Sequence, residues 1–308
     1  MRNAFADELL TVAERDERVV FLSGDIGNRL FDKFKAKFPD RFYNCGVAEQ
    51  NMMGMAAGLA MCGLRPICYT ITPFTTTRCL EQIRVDVCYH HVPVIIAGVG
   101  AGLCYAELGA THHACEDIAF LRMLPTMTVM CPGDPMEARC ALDAAVRHDG
   151  PVYLRMGKKG EPVVHQQRPD FQIGRGIVMA PGTDVALLVT GIPLPAVMHA
   201  AETLRSHGIS PHVVSLHTVK PLDEALLADV FGRCKIVATI EEHSIMGGLG
   251  GAVAEWLVDH LPQKGKLVRI GTSDEFLHEA ADEEYARRRF GLDAPGIAKR
   301  VATEFSKV

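Results

Sequence analysis

The chain has 308 residues, enough for two ordinary domains. Hydrophobic residues make up 48% and charged residues 22%, the balance of a well-packed α/β protein. A formal net charge of −5 and the lack of a dense Lys/Arg block argue against nucleic acid as a partner.

The first segment, MRNAFADELLTVAERDERVV, mixes charge into an amphipathic pattern that predicts a helix over Asn3–Arg15. It has no uninterrupted apolar core, so it does not read as a signal peptide. Short apolar runs then alternate with helical ones. Strands are expected at Val19–Ser23, Arg65–Ile71, Val94–Gly98, Thr128–Cys131 and Val152–Arg155. Helices are expected at Gln50–Met61, Arg78–Val87, Glu116–Arg122 and Pro135–Val146. That alternation implies a mostly parallel sheet covered by helices on both faces. The longest apolar stretch, Val92–Ala106, is broken by Gly98, Gly100 and Gly102 and is too short to span a membrane. The cysteines form no C-x-x-C pair. Cys62, Cys68 and Cys131 stand in apolar runs, which implies buried, reduced thiols in a cytoplasmic protein.

A polar, Gly- and Lys-containing stretch follows, and residues 161–182 read as a linker between a domain of residues 1–160 and one of residues 183–308. The second half predicts strands at Val185–Thr190, His212–Ser215, Ile236–Ile240 and Leu267–Ile270. Its expected helices are Pro193–Ser206, Glu224–Phe231, Ala252–His260 and Gly296–Glu304. Gly247–Gly251, G-G-L-G-G, stands between a strand and a helix. The third glycine of a dinucleotide fingerprint and its ribose-binding acid are missing, so a tight turn is the better reading. Arg287–Arg289 follows Asp282–Glu284 at helical spacing, as expected of a solvated helix face with i,i+4 pairs. A metal site built from His90, His91, His112 and His113 is disfavoured. Adjacent histidines rarely chelate one ion, and no spaced acidic ligands join them.

The stretch Asn44–Ala60, NCGVAEQNMMGMAAGLA, puts one carboxylate, Glu49, between a polar turn and an apolar helix. A carboxylate entering such a segment loses water, which favours its protonated form and suits it to proton transfer. The alternative is an acid that merely stabilises a helix start.

This G-V-A-E-Q segment resembles the pyrimidine-binding domain of thiamine diphosphate enzymes of the transketolase family. The resemblance recurs, in order, at Y-T-I-T-P-F-T-T-T-R (Tyr69–Arg78), L-G-A-T-H-H-A-C-E-D-I-A-F-L-R-M-L-P (Leu108–Pro125) and G-P-V-Y-L-R (Gly150–Arg155). The second half, with E-E-H-S at Glu241–Ser244, looks like the transketolase C-terminal domain, where that stretch serves packing and subunit contact. The implied fold is two α/β domains, each a mostly parallel sheet flanked by helices.

The resemblance implies thiamine diphosphate as cofactor, whose thiazolium carbon carries the chemistry while the protein binds, orients and moves protons. It implies that Glu49 gives a hydrogen bond or proton to a ring nitrogen of the aminopyrimidine. Phe74 matches the aromatic that stacks on that ring, with one residue of slack before Arg78. His112 matches the histidine that faces the reacting substrate, a role suited to a group titrating near neutrality. Arg155 matches an arginine that binds a substrate phosphate, its alternative being a surface charge at a strand end.

The chain departs from the family pattern in two respects. Sugar-phosphate transketolases carry an acid four positions before the motif histidine, where this chain has Leu108 beside Glu107. They also carry a basic residue near a strand end, where this chain has Gly98-Val99-Gly100. A donor or acceptor other than an ordinary pentose phosphate is therefore expected. The G-D-G motif that holds Mg²⁺ and the diphosphate is missing, with only Gly24-Asp25-Ile26 and Gly133-Asp134-Pro135 in its place. The expectation is a split enzyme, active only with an N-terminal transketolase-type subunit that carries Mg²⁺, in an α2β2 assembly with two sites at subunit interfaces. The function expected is transfer of a two-carbon ketol unit from a ketose-type donor to an aldehyde-type acceptor. A β-type subunit of a 2-oxo acid decarboxylating enzyme and a non-catalytic scaffold are the competing readings.

Overall fold

The computed structural model describes every residue except Asn28. Two mostly parallel sheets organise the chain. In the first, β1 (Val19–Ser23), β2 (Phe42–Asn44), β3 (Arg65–Ile71), β4 (Ile95–Val99), β5 (Thr128–Met130) and β6 (Val152–Met156) lie in the order β5-β6-β4-β3-β1-β2. Of these, β1, β4 and β6 are buried along their whole length, because helices such as Arg2–Arg15 and Pro135–Arg147 cover the sheet. The second sheet holds β7 (Ile177–Ala180), β8 (Val185–Thr190), β9 (Pro211–Ser215), β11 (Ile236–Ser244) and β12 (Lys266–Thr272), in the order β12-β11-β8-β9-β7. The two-domain α/β architecture is the one expected.

The differences lie at the sheet edges. β7 falls inside the stretch expected to be a linker and pairs antiparallel with β9. Its four residues, I-V-M-A, are apolar but partly exposed, and so short a run after the polar, glycine-containing Gln172–Gly176 does not stand out as a strand. β10 (Thr218–Lys220) belongs by sequence to the second half but pairs antiparallel with β5 of the first sheet. The helix expected over Arg78–Val87 is instead a tight turn at Thr77–Cys79, a short α-turn at Leu80–Gln82 and a wide π-turn at Ile83–Tyr89. Cys68 and Cys131 are buried as expected, but Cys62 is exposed beyond the helix Glu49–Met61. No helix among the described residues is long and apolar enough to cross a membrane.

The crossover between the sheets runs through His217. Its carbonyl accepts a hydrogen bond from the Cys131 N–H at 2.7 Å, and its ring stacks on Phe171 with centroids 3.8 Å apart. Burial pushes the imidazole down to about 3, aided by nearby His165. As pH falls below the ordinary value of 6.5, the unfolded chain gains this proton while the folded chain does not, so stability is lost toward pH 3. Glu137, pushed up to about 7 by burial, acts in the opposite direction, so the wild type must be compared with a variant. The His217→Asn chain is expected to lose less stability than wild type between pH 6.5 and 4, by on the order of 2–3 kcal/mol. Urea unfolding at both pH values checks this, and equal losses would show that the ring does not resist protonation.

Candidate active site

From β1 the chain runs outward to β2 and then returns to β3 on the other side of β1. Parallel sheets bind ligands outside the carboxyl ends of their strands at such a reversal. Three of the four site residues read from sequence sit on the segments that leave this edge. Glu49 opens the helix Glu49–Met61 after β2, Phe74 lies in the turn Thr72–Thr75 after β3, and His112 lies in the loop after β4. Gly98 of β4 lets the Phe74 turn approach, since a Cβ there would lie 3.0 Å from Thr72 Oγ1 and 3.3 Å from Thr72 Cα.

Glu49 is 2% exposed. Arg78 Nη1 donates to its Oε2 at 2.9 Å, and the Arg78 guanidinium carbon lies 4.2 Å from the centroid of Phe74. Phe74 meets His112 edge to face, with centroids 5.2 Å apart and planes at 69°. Tyr105 packs on His112 at 5.9 Å and 70°. A buried carboxyl, an aromatic ring and an imidazole are thus linked in a row through Arg78 and Phe74. Burial lowers the His112 imidazole below its usual range, His113 adds to this, and Glu107 opposes it. A neutral imidazole can both donate and accept. His113 is buried, with its Nε2 3.3 Å from the Ala106 carbonyl, and is a packing neighbour.

Sequence reasoning missed a charged pair beside His112. Lys158, two residues beyond β6, donates to Glu107 Oε1 at 2.8 Å and lies 4.6 Å from the centroid of Tyr105. Its signal was hidden because it lies in a polar stretch that leads into the expected linker.

Arg155 does not match its expected role. It is 1% exposed, so it is neither a surface charge nor free to hold a phosphate. Its Nε donates to Asp117 Oδ2 at 2.8 Å, and Nη2 donates to Asp117 Oδ1 at 3.2 Å and to the carbonyls of Ala114 and Glu242, each at 2.9 Å. Tyr153 also donates its hydroxyl to Asp117. Burial alone pushes the Asp117 carboxyl up, but Arg155, His243 and these hydrogen bonds outweigh it and hold it below its usual range. Arg155 therefore positions the loop that carries His112, through Ala114 and Asp117. The E-E-H-S strand end takes part: Glu242 Oε1 accepts from the Leu103 N–H at 2.7 Å, and His243 Nε2 accepts from the Ala119 N–H at 3.3 Å.

Residues 1–161 match the family model for the transketolase pyrimidine-binding domain, and residues 174–297 match that for the transketolase C-terminal domain. The chain belongs to the transketolase family. It is 37% identical to a protein of Methanocaldococcus jannaschii provisionally named as a transketolase C-terminal section, covering 100% of this chain and 96% of that one. It is 35% identical to an apulose-4-phosphate transketolase subunit of Phocaeicola vulgatus, over 99% of this chain and 97% of the relative. A split-gene transketolase solved as an inactive β4 tetramer superposes with a TM-score of 0.91 and 35% identity, covering 99% of this chain and 98% of that one.

In this transketolase-family chain the two Gly-Asp pairs make hydrogen bonds within the protein. Asp25 is tied to Asn44 Nδ2 at 2.8 Å. Asp134 is fully buried and accepts from the backbone of Glu137, Val164 and His165. Among the described residues, neither Gly-Asp pair belongs to a cluster of three potential metal ligands. His90, His91, His112 and His113 form no metal-binding group among the described residues. Cys104, Glu242 and Glu283 do converge, but Arg287 already fills the cationic position, donating to Glu242 and to Glu283 at 2.6 Å each. The same arginine shows that Arg287–Arg289 is not wholly a solvated face. At Gly247–Gly251 the helix N-terminus holds the protein's own carboxyl: Glu241 accepts from the Leu249 and Gly250 N–H groups at 2.6 and 2.8 Å. A Cβ at Gly248 would lie 2.0 Å from the Glu241 carboxylate, so the glycine makes room for it.

Proposed function

We propose that this chain is the catalytic C-terminal half of a two-component, thiamine diphosphate-dependent transketolase that moves a two-carbon ketol unit from a ketose-type donor to an aldehyde-type acceptor. The observation that carries the reading is the meeting of buried Glu49 with Phe74 and His112 at the carboxyl edge of a parallel sheet. When bound, thiamine diphosphate supplies the carbon nucleophile that accepts the ketol fragment. Glu49 holds a proton or hydrogen bond at the ring nitrogen of the aminopyrimidine, and its burial keeps water from competing. Phe74 gives that ring an apolar face. His112, its imidazole lowered by burial, exchanges a hydrogen bond or proton with the substrate oxygen near the reacting carbon.

A partner subunit supplies the Mg²⁺ and diphosphate site, in an α2β2 assembly. Two features support this. Neither Gly-Asp pair is followed by the second glycine of the diphosphate motif, and a relative that this chain matches over nearly its whole length is named as one subunit of a transketolase. Val47, Met55 and Met61 present exposed apolar surface around and along the Glu49 helix, as a partner contact requires. The donor or acceptor is a specialised substrate, since Leu108 and Gly98 replace polar groups of sugar-phosphate enzymes. The Lys158–Glu107 pair offers a different polar contact beside His112.

Calorimetric titration with thiamine diphosphate and Mg²⁺ tests the reading. Weak or no binding is expected by the chain alone, and Mg²⁺-dependent binding once the N-terminal subunit is added. Tight Mg²⁺-dependent binding by the chain alone would remove the partner argument, and no binding in the complex would remove the functional reading. Ordinary transketolase rates on xylulose 5-phosphate and ribose 5-phosphate would refute the specialised substrate.

A further inference from the structure

An aminopyrimidine bound as proposed needs two things from this chain: a carboxyl at its nitrogen edge and an aromatic face beneath it. Both are held by Arg78. Its guanidinium is a planar N–H-bearing group that donates to Glu49 Oε2 at 2.9 Å and lies 4.2 Å from the Phe74 centroid. A guanidinium shares the flat shape of an aminopyrimidine, and its N–H donates to Glu49 as the ring nitrogen would once it has taken the proton from Glu49. A ring stacked on that face of Phe74 and bonded to Glu49 would overlap the guanidinium, so the two cannot coexist.

We propose that Arg78 is an internal surrogate for the aminopyrimidine, which covers Glu49 and Phe74 and must swing out before cofactor seats. The inference rests on the functional reading above. The geometry makes the exchange feasible. The Arg78 side chain is 44% exposed, whereas Glu49 is 2% exposed, so the arginine leaves toward water while the carboxyl stays in place. Its backbone remains anchored, because Gln50 Nε2 donates to the Arg78 carbonyl at 3.0 Å. The surrogate keeps a buried carboxylate paired in the free subunit, where an unpartnered charge would be costly. The consequence is that cofactor must displace an ion pair and a cation–π contact, so the wild-type site binds more weakly than its own contacts would allow.

The test is calorimetric affinity for thiamine diphosphate at fixed Mg²⁺ in the assembled two-subunit complex, comparing wild type, Arg78→Ala and Arg78→Lys. Arg78→Ala is expected to bind roughly tenfold more tightly, the scale of one displaced partly exposed charge contact. Arg78→Lys can still pair with Glu49 but cannot lie flat on Phe74, and is expected to fall between the two. Circular dichroism and elution volume establish that each variant folds and assembles. Unchanged or weaker binding by Arg78→Ala would overturn the surrogate role, since Arg78 would then hold Glu49 for the cofactor rather than against it. If wild-type complex took up no cofactor, the functional reading itself would fail, an outcome separate from any ranking of the variants.

Discussion

Replacing Glu49 by Gln in the assembled enzyme is expected to lower kcat by roughly 10²–10⁴-fold, the range general acid–base groups supply, while the two subunits still associate. Gln keeps the volume and can accept or donate a hydrogen bond, but it cannot carry the proton. Glu49→Ala removes the contact as well and is expected to weaken cofactor binding besides. Removing Glu49 leaves behind only Arg78, which is 44% exposed and can be hydrated, so loss of the pair costs the fold only about 1 kcal/mol. A large kinetic effect therefore cannot be blamed on unfolding. Steady-state turnover, with light scattering to confirm assembly, reads both. Turnover of Glu49→Gln within a few-fold of wild type would mean that Glu49 handles no proton and would revive the scaffold reading.

The parts of the fold legible in sequence are those fixed by local pattern. Val19–Ser23 and Val185–Thr190 are continuous apolar runs because both faces of their sheets are covered. Asp134 before Pro135 marks a helix start, and its side chain does accept from the Glu137 N–H. The parts that escaped depend on partners distant in sequence. β10 is three residues long and gains its identity by pairing with Met130 and Val129 of the other sheet. β7 is a partly exposed edge strand of only four residues, I-V-M-A, and it is defined by its antiparallel pairing with β9 rather than by length or pattern. At the site, Glu49, Phe74 and His112 were readable because each stands in a motif, although their proximity was not. Lys158 stands in none. For Arg155 the sequence does carry a signal against the phosphate role: V-Y-L-R-M places the arginine inside an otherwise apolar strand. A charge in such a run must be paired, and Asp117 in E-D-I-A is an acid that opens a helix with an apolar face.

That pairing gives the second large expectation. Arg155→Met is expected to destabilise the chain by about 3–5 kcal/mol, the cost of stripping one partner from a buried ion pair. Both partners are 1% exposed, so water cannot replace the guanidinium. Asp117 would keep only the Tyr153 hydroxyl among its side-chain donors, and the carbonyls of Ala114 and Glu242 would each lose a donor. Adding Asp117→Asn is expected to recover part of the loss, because it removes the stranded charge, and the double-mutant cycle measures the coupling. Denaturant unfolding of the four chains supplies the data. The phosphate-binding role makes the opposite forecast: an Arg155 free to hold substrate would be replaceable at little cost to stability, with the loss appearing in KM. A variant that unfolds as wild type does but binds phosphorylated substrate poorly would restore that role. A destabilised one, eased by Asp117→Asn, places Arg155 behind the His112 loop, as a clamp between the two sheets rather than a hand on the substrate.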